Sequence, residues 1–382
     1  MNNSQADDPG SKNADIEALR AIAVGLVVMC HLGELFRTPG VHHSLFRFTD
    51  FWGGVDIFFC VSGFVITTSL LRRPMPDSFR ALAVPFYIRR IFRIWPAAFL
   101  WLLIALLAAK FVNASGAFGH FRADLRDGLA AVLQVHNVYW SLCSTGHTSP
   151  CGKEVIYWSL SLEEQFYVLF PILLYFAGPS RLRWVLGALI VIQFPLPRDA
   201  PDMLWFIRTD AICYGVLIAM AAQKGSLSPV VQGVRNHPVR FRWLALLLIA
   251  AVAGLSLTPE IRINVGLIAL ASAGLVLLAS CNLGVIIPGG GWLRAGLLWG
   301  GSRSFGIYLV HDSCFWLTRE IFYRIDPGYR ADHWVGKAVT CGILLVLTTE
   351  VSYRLVETPL RELGHRLSRR ASDRRSGLPV AA

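Results

Sequence analysis

The chain alternates long apolar runs with short polar connectors, many of them basic. A helix needs about 20 mostly apolar residues to cross the hydrocarbon core of a bilayer. Runs of that kind lie at roughly 16–36, 52–71, 93–113, 155–177, 182–197, 203–222, 241–258, 263–281, 297–318 and 336–356, which predicts about ten transmembrane helices. The run at 182–197 is the least complete. Residues 129–140 are apolar but too short to span, and fit an interfacial or re-entrant segment. The expected fold class is therefore all-α: a polytopic membrane helical bundle over residues 15–361, with no internal repeat. The polar ends, 1–14 and 362–382, are expected to lack structure.

Composition agrees. Of 382 residues, 54% are hydrophobic and 16% charged, with a mean hydropathy of +0.50. A soluble domain averages about 25% charged residues, so little soluble mass is expected. The net charge is +11. In a membrane protein such an excess marks cytoplasmic loops, and no nucleic-acid motif accompanies it. Three stretches carry it. Residues 72–93 hold Arg72, Arg73, Arg80, Arg89, Arg90 and Arg93 against Asp77 alone. Residues 223–242 hold Lys224, Arg235, Arg240 and Arg242 with no acid. The tail beyond 360 is the third. Both termini inside puts all three on the cytoplasmic side, and the 113–155 and 319–335 loops outside. The first run has a polar, charged lead-in and no small-residue cleavage site, so it is expected to be a retained span.

Eight cysteines are present, in no zinc or haem spacing, so neither a metal nor a bound cofactor is expected. Six lie in apolar runs as packing residues. Cys143 and Cys151 share the 113–155 loop and are a candidate disulfide if it is periplasmic.

Ionisable residues inside spans are costly and mark function by default. Arg20 and His31 share the first span. Eleven helical steps are close to three turns, which puts them on one face about 16 Å apart. With the orientation above, Arg20, Arg89, Arg90, Arg93 and Arg303 fall at the cytoplasmic face. There they either anchor the protein or hold a multiply phosphorylated ligand. His31, Asp56, Glu163, Glu164, Arg208, Asp210 and His311 fall toward the other face. A histidine beside carboxylates suits general base catalysis, and Asp56 or Glu163 is the expected partner of His31. Arg208 and Asp210 read most simply as an ion pair with each other. Gly53, Gly54 and Gly63 suit close helix packing.

The ordered set of motifs resembles the acyltransferase 3 family of integral membrane O-acyltransferases. The matching pieces are Arg20-x10-His31, Gly54-Val-Asp56-Ile-Phe-Phe-Cys-Val-Ser62-Gly63-Phe64, Arg89-Arg-Ile-Phe-Arg93-Ile-Trp-Pro96, Trp158-Ser-Leu-Ser-Leu-Glu163-Glu164-Gln-Phe-Tyr167, Arg208-Thr-Asp210, Ser302-Arg-Ser-Phe-Gly-Ile-Tyr308-Leu-Val-His311 and Glu357-Thr-Pro359. The resemblance is to the short form, without the periplasmic SGNH hydrolase-like domain of some members. It implies a multi-pass protein of the bacterial inner membrane with acyl-CoA, most simply acetyl-CoA, as co-substrate. The implied acceptor is a hydroxyl of an exopolysaccharide, a lipopolysaccharide or a lipid-linked saccharide, or alternatively of a macrolide. Arg20, Arg89, Arg90, Arg93, Ser62 and Arg303 would serve the donor. His31 would act as general base or transient acyl carrier, with Asp56, Glu163, Glu164 and His311 around it. Trp140, Tyr157, Trp158, Arg208 and Asp210 would meet the acceptor. Two other classes compete: an envelope-precursor flippase without chemistry, and an intramembrane serine hydrolase using Ser62 or Ser161 with His311. The latter lacks a G-x-S-x-G elbow.

Overall fold

The computed structural model describes residues 13–36, 48–72, 74–287, 289–327 and 333–376, with side chains as far as 371. Most of the expected unstructured N-terminus (1–12), the last residues of the tail (377–382) and Arg73 lie outside the described residues.

Among the described residues all regular structure is helical. The helices are α1 (Ala14–Cys30), α2 (Leu32–Leu35), α3 (Gly54–Leu71), α4 (Phe79–Phe111), α5 (Phe121–Val132), α6 (His136–Ser144), α7 (Tyr157–Gln193) and α8 (Met203–Phe206). They continue with α9 (Asp210–Gln223), α10 (Ser228–Asn236), α11 (Pro238–Ser256), α12 (Asn264–Ser280), α13 (Trp292–Ser302), α14 (Ser304–Ile325), α15 (Trp334–Ser352) and α16 (Thr358–Ser376). Helix covers most of every predicted segment. Six stretches are long and apolar enough to cross a membrane: Gly54–Leu71, Phe79–Phe111, Tyr157–Gln193, Met203–Gln223, Pro238–Ser256 and Trp334–Ala371. The chain is a multi-pass membrane protein.

Local chemistry explains several departures from a simple span pattern. The runs at 155–177 and 182–197 join into α7, which is broken at Gly178 (φ 71°), a conformation suited to glycine, followed by Pro179. The run at 297–318 is interrupted at Arg303, between α13 and α14. The short apolar stretch at 129–140 is split between α5 and α6. The tail differs from expectation: it is helical as α16, reached through a π-helical turn at Tyr353–Glu357. Packing supplies what its composition does not. Helix α16 lies against α4, where Ser368 Oγ donates to the Pro85 carbonyl (3.1 Å) and Arg89 donates to Ser368 Oγ (2.6 Å).

Helix α1 is held at its start. Asn13 Oδ1 caps it by accepting from the Ile16 N–H (2.9 Å). Asp15, buried, accepts from the N–H groups of Gly284 (2.9 Å) and Val285 (3.2 Å) in the α12–α13 connection. Its flank meets α13 closely, because Gly301 presents no side chain to the Glu17 carbonyl. Helices α3 and α9 approach by a similar device. A Cβ at Gly63 would strike the Ile212 carbonyl, and one at Gly215 the Cys60 carbonyl.

Candidate active site

Two cavities lie along α1. The first, about 410 Å³, is lined by Glu17, Arg20, Arg90, Arg93, Glu163 and Arg361, with Ser62, Tyr167, Tyr308, Glu357 and apolar residues such as Phe58 and Val61. Four guanidinium groups and His365 outnumber three carboxylates there. The second, about 460 Å³, is lined by Cys30, His31, Glu34, Trp140, Gly152, Lys153, Asp312 and Trp316. Arg20 therefore faces one cavity and His31 the other. Helix α14 does likewise: Ser304, Phe305 and Tyr308 line the arginine cavity, and Asp312 and Trp316 the histidine cavity.

Where α1 and α14 pass each other, three side chains converge. His31 Nδ1 is 2.8 Å from His311 Nε2, and the rings stack with centroids 5.0 Å apart. Asp312 Oδ1 is 3.4 Å from His31 Nδ1 and 3.6 Å from His311 Nε2. His311 Nδ1 is 2.7 Å from the Tyr308 carbonyl, which can only accept. That fixes the His311 proton on Nδ1 and leaves Nε2 as a lone pair. His31 Nδ1 must then supply the proton between the two rings, which leaves His31 Nε2 unprotonated. Both His311 and Asp312 are buried, whereas the His31 side chain is 26% exposed. The site therefore presents one accessible basic nitrogen, backed by a second imidazole and a carboxylate. Tyr308 is fixed in turn, its hydroxyl donating to the Ile156 carbonyl (2.9 Å) beside Ser159 Oγ (2.6 Å).

Several expected roles are corrected. Asp56 does not reach His31; its oxygens accept from Arg208 Nε (3.2 Å) and Nη2 (3.1 Å), both side chains fully buried. Arg208 is ringed by Trp52, Trp158 and Trp205. Arg208 and Asp210 do not pair, since Asp210 takes Arg198 instead (2.7 Å). All four of these charged groups and Trp158 are buried and line neither cavity. Tyr157 is likewise buried, donating to the Ala98 carbonyl (2.8 Å). Glu163 lies on the arginine cavity, accepting from Ser62 Oγ (3.1 Å) and Tyr167. Glu164 accepts from Trp95 Nε1 (3.0 Å). Arg303 turns to Glu350 (2.8 Å), and Arg89 to Ser368, so neither lines the arginine cavity. Arg20, Arg90, Arg93 and Ser62 do line it, and Trp140 lines the histidine cavity. The residue that sequence reasoning missed is Asp312. It sits directly after His311 inside an apolar run, and the cost of a carboxylate there was the available signal.

The α6–α7 connection borders the histidine cavity through Gly152, Lys153 and Val155. Cys143 and Cys151 form a disulfide with Cα atoms 5.3 Å apart. Asp124 accepts from the Lys153 N–H (2.8 Å), and Asp127 from those of Gly152 (3.0 Å) and Glu154 (3.3 Å). Burial pushes the Asp124 carboxyl up to about 6 and the Asp127 carboxyl up to about 7, against the opposing pull of those N–H groups. Burial also lowers His136 on α6 to about 3, so it stays neutral.

Residues 13–353 match the acyltransferase domain that defines the acyltransferase 3 family. The chain belongs to that family. Among curated proteins, this acyltransferase 3 chain is 26% identical over 380 residues to the peptidoglycan O-acetyltransferase OatA of Listeria monocytogenes, covering 91% of this chain and 56% of that protein. It is 26% identical to YrhL of Bacillus subtilis, a candidate peptidoglycan O-acetyltransferase (92% and 55% covered). It is 24% identical to SACOL0978 of Staphylococcus aureus, a candidate O-acetyltransferase (91% and 57% covered). The chain thus spans about half the length of the curated relatives it matches. No solved structure matches it.

Proposed function

We propose that this acyltransferase 3 chain is an O-acyltransferase of the bacterial inner membrane. In this reading it has ten spans and cytoplasmic termini, and moves an acetyl group from cytosolic acetyl-CoA to a hydroxyl of a cell-envelope glycan. One observation carries the reading: α1 and α14 each line both cavities, and the His31–His311–Asp312 cluster sits where these helices meet, with His31 and Asp312 on the histidine cavity. The charges of the two cavities support a direction. Arg20, Arg90, Arg93 and Arg361 suit the phosphates of a donor entering from the cytosol. Phe58, Val61, Ser62 and Tyr308 line the same cavity and suit an uncharged arm. The histidine cavity offers Trp140 and Trp316, whose faces suit a sugar ring, and Glu34 and Lys153, whose polar groups suit its hydroxyls. The names of the relatives favour a peptidoglycan-like acceptor.

In this mechanism His31 Nε2 takes the proton from the acceptor hydroxyl as its oxygen attacks the thioester carbonyl. The carbon–sulfur bond breaks, the ester forms, and the thiolate of CoA leaves with the proton that His31 returns. His311 holds the tautomer, and Asp312 stabilises the imidazolium formed in between. The test is release of CoA thiol by purified protein given acetyl-CoA and glycan fragments. Release should require the acceptor and vanish in His31→Ala, with insertion into the membrane unchanged. Arg20→Ala should raise the donor KM more than the acceptor KM. A His31→Ala protein as active as the parent would sink the proposal. Glycan movement without thiol release would favour a flippase.

A further inference from the structure

The cluster that would hold the reacting proton also has the donor set of a transition-metal site. We infer that His31 Nδ1, His311 Nε2 and Asp312 Oδ1 bind a divalent metal ion of the Zn²⁺ class from the histidine cavity, and that the bound ion shuts off acyl transfer. The binding half stands on geometry alone; the inhibition half rests on the reading of His31 as the base.

His31 lies 280 positions before the adjacent pair His311 and Asp312, so no local spacing motif announces the three atoms. Their separations are 2.8, 3.4 and 3.6 Å. Zinc bonds of about 2.0–2.2 Å at tetrahedral angles put neighbouring ligand atoms about 3.3–3.6 Å apart. Two edges already match, and a small rotation of the partly exposed His31 ring opens the third. The His311 tautomer is the one a ligand needs, because Nδ1–H is held by the Tyr308 carbonyl and Nε2 is bare. Asp312 Oδ1 is buried and faces both ring nitrogens, at 3.4 and 3.6 Å, without a well-formed hydrogen bond to either. Further acidic groups stand nearby, Glu34 on the cavity lining and Asp50 on Cys30. Asp50 accepts from the Cys30 thiol (3.1 Å), and Glu34 pairs with Lys153 (3.1 Å) and Arg319 (3.6 Å). Three ligands with an open fourth side describe an accessible site rather than a closed structural one. Two imidazoles and one carboxylate favour zinc and its neighbours over magnesium or calcium.

Inhibition follows from the tautomer. Without metal, the His31 proton sits on Nδ1 and Nε2 is free to act as base. A metal on Nδ1 displaces that proton and leaves the ring protonated on Nε2, where it can no longer accept one. The metal takes the place of the proton that keeps the base active.

The experiment uses the full chain, purified in detergent and stripped of metal, titrated with Zn²⁺ against a fluorescent chelator. The expected result is one Zn²⁺ per chain, undisturbed by excess Mg²⁺. Affinity should fall by more than about tenfold in His311→Gln and in Asp312→Asn, since losing a ligand costs more than losing an outer partner. Cys30→Ser should retain binding. In the thiol-release assay, activity should fall as the site fills and return with EDTA. No binding, or binding that survives both ligand variants, would overturn the site, as would its loss in Cys30→Ser. Activity that needs Zn²⁺ and is lost in EDTA would overturn the inhibitory role. Zinc binding that follows this pattern in a protein with no transferase activity would instead count against the proposed function while leaving the site standing.

Discussion

At the scale of single residues, two aspartates in apolar helices carry different burdens. Asp56 balances Arg208 in a place without water, and removing one partner of a fully buried pair costs about 3–5 kcal/mol. Asp56→Asn should therefore lower the yield of folded protein and its melting temperature, with activity falling only in proportion to protein. Asp312 faces two imidazoles beside a cavity. Asp312→Asn should keep normal yield and lose about 10²-fold or more in kcat, the scale of a general base contribution. Yield and kcat measured on both variants separate the roles, and equal effects would refute the division. The reason that Asp56 reads as the partner of His31, and Arg208 as the partner of Asp210, is proximity in sequence or depth. Residues two apart do not face each other on a helix. Arg208 lies before α9 begins and reaches across to α3 instead.

At the scale of elements, α1 and α14 run in the same direction past both cavities, and the register between α1 and its neighbours sets where His31 meets His311. Glycine contacts fix such registers here. At the α3–α9 crossing, a Cβ on Gly215 would enter the backbone of Cys60, which cannot swing aside as a side chain does. Gly215→Ala should force the helices apart at about 1–3 kcal/mol, the ordinary cost of overpacking. Gly342 on α15 has open space around it, and Gly342→Ala should be neutral or gain up to about 1 kcal/mol from helix propensity. Thermal melting of the two detergent-solubilised variants tests this, and a reversed order would show that the crossing is not tight.

At the scale of the molecule, periodic apolar runs carry nearly all the helices, because each span must satisfy its own backbone hydrogen bonds. The arginine-rich lining of one cavity is legible for a similar reason: Arg20, Arg90 and Arg93 stand out against apolar neighbours. The pairings are not legible, because Asp312, His311 and His31 meet through the tertiary arrangement of α1 and α14, which a single sequence does not encode locally. The fate of the tail is hidden for the same reason, since its helix depends on α4.

The region beside the histidine cavity makes the last test. Asp124 and Asp127 are carboxyls of about 6 and about 7 in the folded chain, against about 3.9 when unfolded. The folded state therefore binds protons more tightly. Their stabilising effect is full below about pH 4, fades as pH rises toward about 7, and is gone above that. Their acceptors hold the backbone of residues 152–154, and Gly152 and Lys153 line the cavity. Hydrogen exchange over residues 113–155, corrected for intrinsic rates, should show opening becoming easier from pH 5 to 7 and level thereafter. The Cys143–Cys151 bridge closes a short loop, eight residues apart in sequence, in the same region. Reducing it should lower the whole profile by about 2–3 kcal/mol without moving its bend, since the bridge acts mainly on the unfolded loop and does not titrate. A profile that rises with pH would mean that the backbone N–H groups, rather than burial, govern these two carboxylates.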